Sequence, residues 1–316
     1  MRITAQLVEA ATGNHLWAEK YDGALVDIFD LQDKITEGVV SAIEPSVRRA
    51  EIERARRKRP ENLDAYDIVL RSWPLLYSRM PEDADRTIPL FQRAIELDPT
   101  YGLAHAALAW CFHARFYRAR RRAEDDSLAI RHARTTTSLG TDDATALAMA
   151  AFALATSRER DHESASRLID RALNLSPSCS FALSQGAAIF TLLDRTDLAI
   201  ECARKALRLN PLDPFAYAAH AALAMSHLFD GSFEQAAEAA RRAIESNPRF
   251  SHLHAMLAAA QVWLGQVADA AAVARRVLEL QPDFTVSLVA DEYSGIAPDR
   301  LAPFLDGLRK AGLPEG

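Results

Sequence analysis

The chain has 316 residues, of which 49% are hydrophobic and 25% are charged, so it can bury a substantial core and is expected to be soluble. Its net charge of −6 argues against a general electrostatic attraction to nucleic acid or to an anionic membrane. No apolar run approaches the roughly 20 residues that a membrane span needs, and residues 1–10 lack a signal-peptide core. Cys111, Cys179 and Cys202 form no CxxC pair, and Cys202 lies on an apolar helix face, which predicts a buried structural thiol there and a reducing, cytoplasmic compartment.

Residues 2–21 have the pattern of a β-hairpin. Apolar and polar residues alternate over RITAQL, a turn signal follows at 11–14, and HLWAEKY predicts the second strand. A helix pattern then covers 25–44 and is interrupted by Pro45. A hairpin and one helix cannot enclose a core by themselves. Residues 1–45 are therefore predicted to be part of an incomplete α/β domain.

The segments RITAQLVEAATGNHLWAEKYDG and DIFDLQDKITEGVV resemble the closing hairpin and last helix of the TolB-like α/β domain. The resemblance continues through RRAEIERARRKRPENLDAYD and the closing GLRKAGLPE. In bacterial signalling proteins this domain often precedes tetratricopeptide repeats, and it follows a class III adenylate/guanylate cyclase domain or a winged-helix DNA-binding domain. The earlier strands of that domain and any output domain are absent from this sequence, and Met1 is interpreted as a natural start, a misjudged start or the boundary of a fragment. An unpaired strand over 2–9 is then expected to pair with a second copy or with a strand supplied elsewhere.

Two basic runs stand out. Residues 46–64 are predicted to be a charged helical linker, because SVRRAEIERARRKR holds many more basic than acidic residues. The favoured interpretation is a solvated helix, and the alternative is a contact to an anion or to nucleic acid. The second run, RFYRARRR at 115–122, is predicted to be a surface extension that the acidic residues 124–126 neutralise.

Residues 65–284 carry a repeated unit of two helices. Its clearest copy, SFALSQGAAIFTLLDRTDLAIECARKALRLNPLD at 180–213, predicts a helix A, a turn, and a helix B with Thr196 as N-cap. Small residues such as Gly186 let the two helices approach closely. The segments FQRAIELDP, ARKALRLNP and ARRAIESNP close successive units in nearly the same way. About six units are predicted, because short helix pairs become stable only when they stack.

The unit resembles the tetratricopeptide repeat, whose period is 34 residues. Ala187, Ala199, Ala206 and Pro211 occupy the family's small-residue and proline positions, while Ala203 stands where the family has a bulky residue. The predicted fold class is mainly α: an α-solenoid of about six helix pairs, preceded by a β-hairpin and helix from an incomplete α/β domain.

Residues 285–316 leave the repeat pattern and are predicted to cap the exposed end of the last unit. Asp299 would cap a short helix with Leu301 and Phe304 on its apolar face, and Gly312 would end it.

No set of residues in the sequence predicts catalysis, cofactor binding or metal binding. The chain lacks GxSxG, GxGxxG and GxxxxGK[ST] motifs, and its histidines lie at spacings that do not suit chelation of one ion. The predicted strands carry Glu9 and Glu19 but no aspartate, whereas a class III cyclase needs acidic metal ligands on strands. We expect no cyclase activity on this chain, although full-length relatives can be adenylate or guanylate cyclases.

By the same resemblance, partners would bind the concave face that helix A lines. The positions expected to be exposed there are small, mostly apolar and almost uncharged, which suits an apolar helix or an extended peptide. The alternative occupant is the tail or a neighbouring domain. The predicted groove positions are Phe181, Ser184, Ala188, Thr191, His252, Ala255, Ala259 and Val262.

Two functional hypotheses follow. The favoured one is a non-catalytic protein–protein interaction or regulatory module of a bacterial signalling protein, whose partner is a protein, a peptide, or a cyclase or other output domain. The alternative is a DNA-associated transcriptional regulator that uses the arginine-rich runs, which the negative net charge disfavours.

Overall fold

The computed structural model describes residues 2–8, 13, 15–22, 39, 43, 46–59, 63–118, 122–210 and 213–316. The predicted hairpin is present: β1 (Arg2–Val8) pairs antiparallel with β2 (His15–Asp22), and the register shifts once near the turn. The helix predicted over 25–44 lies almost wholly outside the described residues.

A helix at residues 46–57, here called the linker helix, packs along the first helix pair. Ile52 and Ala55 on one of its faces are buried in the core of the repeats. Arg71 caps its C-terminal end, because Arg71 Nε donates to the Ala55 carbonyl at 2.7 Å and Nη2 donates to the Arg56 carbonyl at 3.2 Å. The predicted solvated helix is thus corrected for one face, which is docked on the repeats.

Six antiparallel helix pairs follow within the described part of the chain, which confirms the predicted α-solenoid. In unit 4, nearly every residue of helix A is buried, whereas helix B buries a single stripe. The reason is that each helix A lies between neighbouring helices and the interior of the coil, while each helix B has one solvated face. The pairs are α1 (Ala65–Ser72) and α2 (Pro81–Leu97) in unit 1, α3 (Gly102–Arg118) and α4 (Ala123–Ser138) in unit 2, α5 (Ala144–Ala155) and α6 (His162–Leu175) in unit 3, α7 (Ser180–Leu192) and α8 (Thr196–Leu209) in unit 4, α9 (Ala216–Phe229) and α10 (Phe233–Ser246) in unit 5, and α11 (Ser251–Trp263) and α12 (Val267–Leu280) in unit 6.

Small residues set the spacing between units. A Cβ placed on Gly186 of α7 would lie 3.3 Å from the Ile169 side chain of α6, so a larger residue there would push units 3 and 4 apart. Ala199 and Ala206 of α8 are only 0% and 2% exposed. The closing Pro211 lies outside the described residues.

Two helices begin slightly earlier than the sequence suggested. Arg195 is the N-cap of α8, and the predicted cap Thr196 is already the first helical residue. Likewise, the last helix starts at Pro298 with Ala297 as its N-cap, so Asp299 lies inside the first turn. A proline at the first helical position fixes the start there, because its missing N–H has no partner to lose.

The turn between helix A and helix B uses a left-handed backbone residue in five of the units. These residues have positive φ angles and are Arg79, Arg160, Asp194, Gly231 and Gly265. Glycine adopts this conformation freely, whereas other residues lose about 1 kcal/mol or more. We therefore expect contacts of the three non-glycine side chains to offset the backbone strain.

After unit 6 the chain turns back across the inner face of the solenoid, through α13 (Val286–Glu292) and α14 (Pro298–Lys310). Helix α14 packs on the A helices of units 6 and 5 and buries Leu301 and Phe304. The contact is close, since a Cβ on Gly307 would lie 2.8 Å from the Cα and Cβ of Ala259 in α11.

Ion pairs connect this tail to the A–B turns of units 3 to 5. Arg160 pairs with Asp291 at 2.8 Å, and Arg300 pairs with Asp194 and lies 3.6 Å from Asp230. Two of the strained turn residues thus hold the tail in place.

The solenoid coils so tightly that unit 1 meets unit 5 and the loop leading to unit 6. Tyr77 packs edge-on against Phe215, with ring centroids 5.1 Å apart. Asn247 Nδ2 donates to the Ser78 carbonyl at 3.3 Å. In an ordinary repeat array each unit contacts only its neighbours, whereas here the coil closes on itself.

Candidate functional site

The predicted groove positions of unit 4 face the interior of the closed coil. Phe181 packs against Phe215 with ring centroids 4.7 Å apart, and Ser184 is 1% exposed. Ala188, which is half-buried, and Thr191 line an inner cavity. Ala188 and Thr191 therefore line an inner cavity, whereas Phe181 and Ser184 are packed in the core beside it.

In unit 6 the tail lies over the helix that carries the other four predicted positions. Ala255 and Ala259 are fully buried, Val262 is 8% exposed, and His252 lines the cavity at 4% exposure. Helix α14 is the covering element. This part of the concave face is thus filled by the tail, the alternative occupant that the sequence left open.

The inner cavity has a volume of about 80 Å³ and lies between the A helices of units 2 to 6 and the tail. Arg79 reaches it from the turn of unit 1, and Glu292 reaches it from the tail. Phe152, Tyr217 and Phe250 supply aromatic walls. A space of this size holds a few water molecules or a small ligand.

Arg79 is the buried cation of the cavity, with 6% of its surface exposed. Its guanidinium carbon lies 4.1 Å from the ring centroid of Trp110 and 4.7 Å from that of Phe152, and Nη2 lies 2.6 Å from His113 Nδ1. Burial lowers the pKa of Arg79, although an arginine still keeps its proton at neutral pH. No ion pair joins Arg79 to a carboxylate of the described residues, and its direct contacts are with aromatic faces and His113. The negative charge of Glu292, which lines the same cavity, opposes part of the lowering of the pKa of Arg79.

Arg118 is a second, half-buried cation near Arg79. Burial, together with the nearby charge of Arg79, lowers the pKa of Arg118 to about 10. One terminal nitrogen donates to the Arg249 carbonyl, and the guanidinium carbon lies 4.7 Å from the Phe250 ring centroid. The other terminal nitrogen, Nη1, has no hydrogen-bond partner among the described residues. Arg118 does not line the cavity, but its charge and that of Arg79 are close enough for Arg79 to lower the pKa of Arg118.

Gln185 projects from α7 into the same cavity. It is 1% exposed, and neither its Nε2 nor its Oε1 has a hydrogen-bond partner in the described structure. Leaving such an amide unpaired costs roughly 1–3 kcal/mol for each buried polar group. Buried polar side chains without partners are rare, and they commonly mark a place where a bound molecule or water belongs.

Glu292 lines the cavity but is engaged by protein groups. The Tyr117 hydroxyl donates to one carboxylate oxygen, and His252 Nε2 lies 3.1 Å from the other. The Tyr117 oxygen also lies 2.8 Å from His252 Nε2, which links the three side chains into one cluster. The cluster joins unit 2, unit 6 and the tail.

Several other titratable groups of the interior are held neutral. Burial raises the pKa of Cys111 to about 12, that of Cys202 to about 11 and that of Tyr217 to about 12. At neutral pH these thiols and this hydroxyl stay protonated, so they are poor nucleophiles. The prediction that Cys202 is a buried free thiol is confirmed.

The second basic run differs from the predicted surface extension. Arg115 pairs with Asp85 at 3.0 Å and with Asp125, as local neutralisation predicts. Arg118, however, ends helix α3 with its side chain half-buried, because its guanidinium packs on the Phe250 ring just before unit 6. Residues 119–121 lie outside the described residues.

The linker helix also neutralises part of its charge. Arg54 and Glu51 form an ion pair at 2.7 Å, as do Arg56 and Glu53. These pairs reduce the positive charge available for nucleic acid, which counts against the DNA-associated alternative.

The described residues contain no group of three or more His, Cys, Asp or Glu side chains that could hold a metal ion. In the same portion of the chain, no helix combines the length and the hydrophobicity that crossing a membrane requires.

Sequence reasoning did not identify the polar residues of the cavity. Gln185 carried a readable signal, since it is the one amide in the apolar helix segment FALSQGAAIFTLL. Arg79 and Arg118 carried none, because their surroundings come from distant parts of the sequence: Arg79 of unit 1 packs on Phe152 of unit 3, and Arg118 of unit 2 packs on Phe250 before unit 6.

Comparisons with known proteins support the repeat architecture. Two tetratricopeptide-repeat family models match residues 192–248 and 227–290. A Rhizobium meliloti protein named putative adenylate cyclase 3 is 35% identical over 109 residues, which cover 34% of this chain and 19% of that protein. The match therefore spans about a fifth of that relative's length.

Solved solenoid structures resemble the fold at low sequence identity. Human IFIT1, crystallised as a dimer with m7Gppp-AAAA, has a TM-score of 0.54 and 17% identity, over 68% of this chain and 50% of its own. The Cut9–Hcn1 assembly of the APC/C has a TM-score of 0.55 and 13% identity, over 85% of this chain and 48% of its own. These likenesses concern the fold alone. Together with the family matches, they identify residues 192–290 as tetratricopeptide repeats within a longer α-solenoid.

Proposed function

We propose that this chain is a non-catalytic interaction and regulatory module of a bacterial signalling protein that works with an adenylate or guanylate cyclase. The observation that carries the proposal is the 35% identity, over 109 residues, to a protein named putative adenylate cyclase 3. The helical repeats support it, because stacked helix pairs present extended surfaces for partners. The predicted TolB-like remnant at 1–45 and a cytoplasmic location belong to the same proposal.

The test combines the purified chain with the catalytic domain of the class III cyclase encoded in frame with it or beside it. We expect saturable binding by calorimetry and a changed rate of cyclic nucleotide formation from ATP or GTP with Mn²⁺. The chain alone should show no turnover. Absence of both binding and rate change would contradict the regulatory role, and turnover by the chain alone would contradict the non-catalytic one.

The hairpin is the proposed contact to an output domain or to a second copy of the chain. Among the described residues its sheet has two strands, and such a sheet is marginal in water unless further strands extend it. Ile3→Lys places a charge on β1 and should prevent strand addition. Light scattering should then report a smaller particle for the variant than for the parent chain. Two identical monomers would remove self-association from the proposal.

Peptide binding at the predicted groove positions is the remaining part of the proposal, and it depends on the tail. Ala259 lies under Gly307 of α14. An apolar helix could reach that surface only after α14 has left unit 6. A variant with a displaced tail, described in the Discussion, should therefore bind such peptides better than the parent chain.

A further inference from the structure

We propose that the inner cavity binds a small organic anion, a carboxylate carried on a body of about two to four carbon atoms. This inference goes beyond the interaction role and does not rest on it. It depends on three features of the cavity: a buried arginine that forms no ion pair with a described carboxylate, an unpaired amide, and largely apolar walls.

The positive charge comes from Arg79 and Arg118. The side chain of Arg79 is buried in the cavity wall, that of Arg118 is half-buried and lies outside the cavity lining, and neither forms an ion pair with a carboxylate of the described residues. Removing a charge from water without a counter-charge is expensive, and two adjacent like charges add repulsion. An anion bound beside Arg79 would lower both costs. Glu292, the carboxylate that lines the cavity, is already held by Tyr117 and His252.

The amide of Gln185 supplies the hydrogen bonds that such a ligand needs. Its Nε2 can donate to a carboxylate oxygen, and its Oε1 can accept from a hydroxyl group or from water. Both atoms lack partners in the structure, although the side chain is almost fully buried and lines the cavity. If nothing were bound, an apolar residue at position 185 would give a more stable folded protein than glutamine does. A bound molecule explains why an amide is present there.

The apolar walls of the cavity determine which ligand body is favoured beside the carboxylate. Phe152, Met225, Met256 and Phe250 line the space with apolar surface. Such walls favour a short hydrocarbon body over a strongly hydrated inorganic ion, which would lose its water without replacement. The volume of about 80 Å³ lies below that of an engineered cavity of about 150 Å³ that accepts benzene, which sets the upper size.

The test is a calorimetric titration of the full chain with propionate, propionamide, phosphate and sulfate. Each is raised to about 10 mM, because ligands of about five heavy atoms rarely bind tighter than the micromolar range. We expect saturable binding of propionate at one site per chain. Propionamide, which has the same shape without the charge, should bind at least tenfold more weakly.

Gln185→Leu is the decisive variant. It removes the unpaired amide at similar volume, so the free protein should melt at the same temperature or higher, while the Kd for propionate should rise at least tenfold. Gln261→Leu is the matched control, because Gln261 also has an unpaired Oε1 but does not line the cavity. The Kd of Gln261→Leu for propionate should equal that of the parent chain. Arg79→Gln should abolish the binding of propionate. If Arg79→Gln fails to fold, the Kd of Gln185→Leu still tests the proposal.

Four outcomes would overturn the proposal. They are the absence of saturable binding by propionate, equal affinity for propionamide, an unchanged Kd in Gln185→Leu, and an equal or tighter affinity for phosphate or sulfate. The last result would place an inorganic anion in the cavity and remove the organic ligand.

Discussion

The residues other than glycine that have a left-handed backbone conformation also make long-range contacts in this protein. Arg79, Arg160 and Asp194 occupy left-handed turn positions that units 5 and 6 fill with glycine. Arg160 and Asp194 hold the tail through ion pairs, and Arg79 enters the cavity. Backbone strain at these turns is thus offset by side-chain contacts that glycine cannot make.

Gly265 allows the energetic cost of the left-handed backbone to be measured by itself, because its φ is +76° and a Cβ there would meet nothing within 4 Å. Gly265→Ala should lower the free energy of unfolding by about 1 kcal/mol through the backbone alone. Asp194→Gly should have a smaller net effect, because relief of the backbone is opposed by loss of the Arg300 ion pair. Guanidinium-induced unfolding measures both, and an unchanged midpoint for Gly265→Ala would contradict the strain argument.

Asp67 gives the fold a pH dependence at the contact between unit 1 and the linker helix. Burial alone would raise the pKa of its carboxyl, but hydrogen bonds from Lys58 and from the Asp64 backbone outweigh burial, and the pKa is lowered. A carboxyl with a lower pKa in the folded than in the unfolded state stabilises the fold above the unfolded-state pKa. That contribution is lost as the pH falls through the folded-state pKa.

Asp67→Asn should therefore lower the free energy of unfolding by about 1–2 kcal/mol near neutral pH. The difference from the parent chain should shrink as the pH falls through the folded-state pKa of Asp67, because the parent carboxyl is then also uncharged. Urea unfolding at a series of pH values measures this. Glu96→Gln, which breaks an exposed pair with Arg93, is the control and should have almost no effect at any pH. A pH-independent effect of Asp67→Asn would rule out the electrostatic explanation.

At the scale of the elements, the helix pairs could be predicted from the sequence, but the position of the tail could not. Apolar spacing, small residues and closing prolines are local signals, and they placed the pairs correctly. Helix α14 shows an apolar face in the sequence, yet the sequence does not say which surface that face meets. Its place over α11 depends on the fit of Gly307 against Ala259, which becomes visible only in three dimensions.

Gly307→Leu should release α14, because its Cβ would overlap the Ala259 backbone. Trp263 reports the release, since its Nε1 donates to the Pro303 carbonyl at 2.7 Å and Lys310 Nζ lies 3.9 Å from its ring centroid. We expect a red-shifted Trp263 emission, read in a variant whose other tryptophans are phenylalanine, and faster amide exchange over 298–310.

Asp306→Leu is the control for this experiment, because it changes the neighbouring residue, whose side chain is 48% exposed, and it should leave both signals unchanged. If Gly307→Leu keeps the parent emission and the parent exchange rates, close packing at Gly307 does not hold the tail.

At the scale of the whole molecule, closure of the coil determines what the protein can bind. The sequence predicted the class of fold because each unit is specified locally. The superhelical pitch accumulates from small rotations between units, so no single residue encodes it. The aromatic contacts that close the coil, such as Trp110 with Phe215 at 5.9 Å, join positions more than 100 residues apart. This is why part of the predicted groove lines an inner cavity instead of an open surface.

Closure also changes how the molecule should respond to local damage. In a linear array the effect of a mutation fades over neighbouring units. Here Tyr77 of unit 1 packs on Phe215 at the start of unit 5. Tyr77→Ala should therefore speed amide exchange in α9 by about twofold to thirteenfold, since an aromatic pair contributes roughly 0.5–1.5 kcal/mol.

The matched control is Tyr66→Ala, which removes a tyrosine of the same unit that is 44% exposed. It should leave exchange in α9 unchanged, because its ring does not reach across the coil. Hydrogen exchange read by mass spectrometry distinguishes the two patterns. If Tyr77→Ala affects only units 1 and 2, the units behave as a linear stack, and the contact with Phe215 contributes little to holding the coil closed in solution. Faster amide exchange confined to α9 and unit 1 would instead show that closure of the coil couples the two ends of the array. Closure is required for the cavity, because it brings Arg79 of unit 1 and Gln185 of unit 4 to one space.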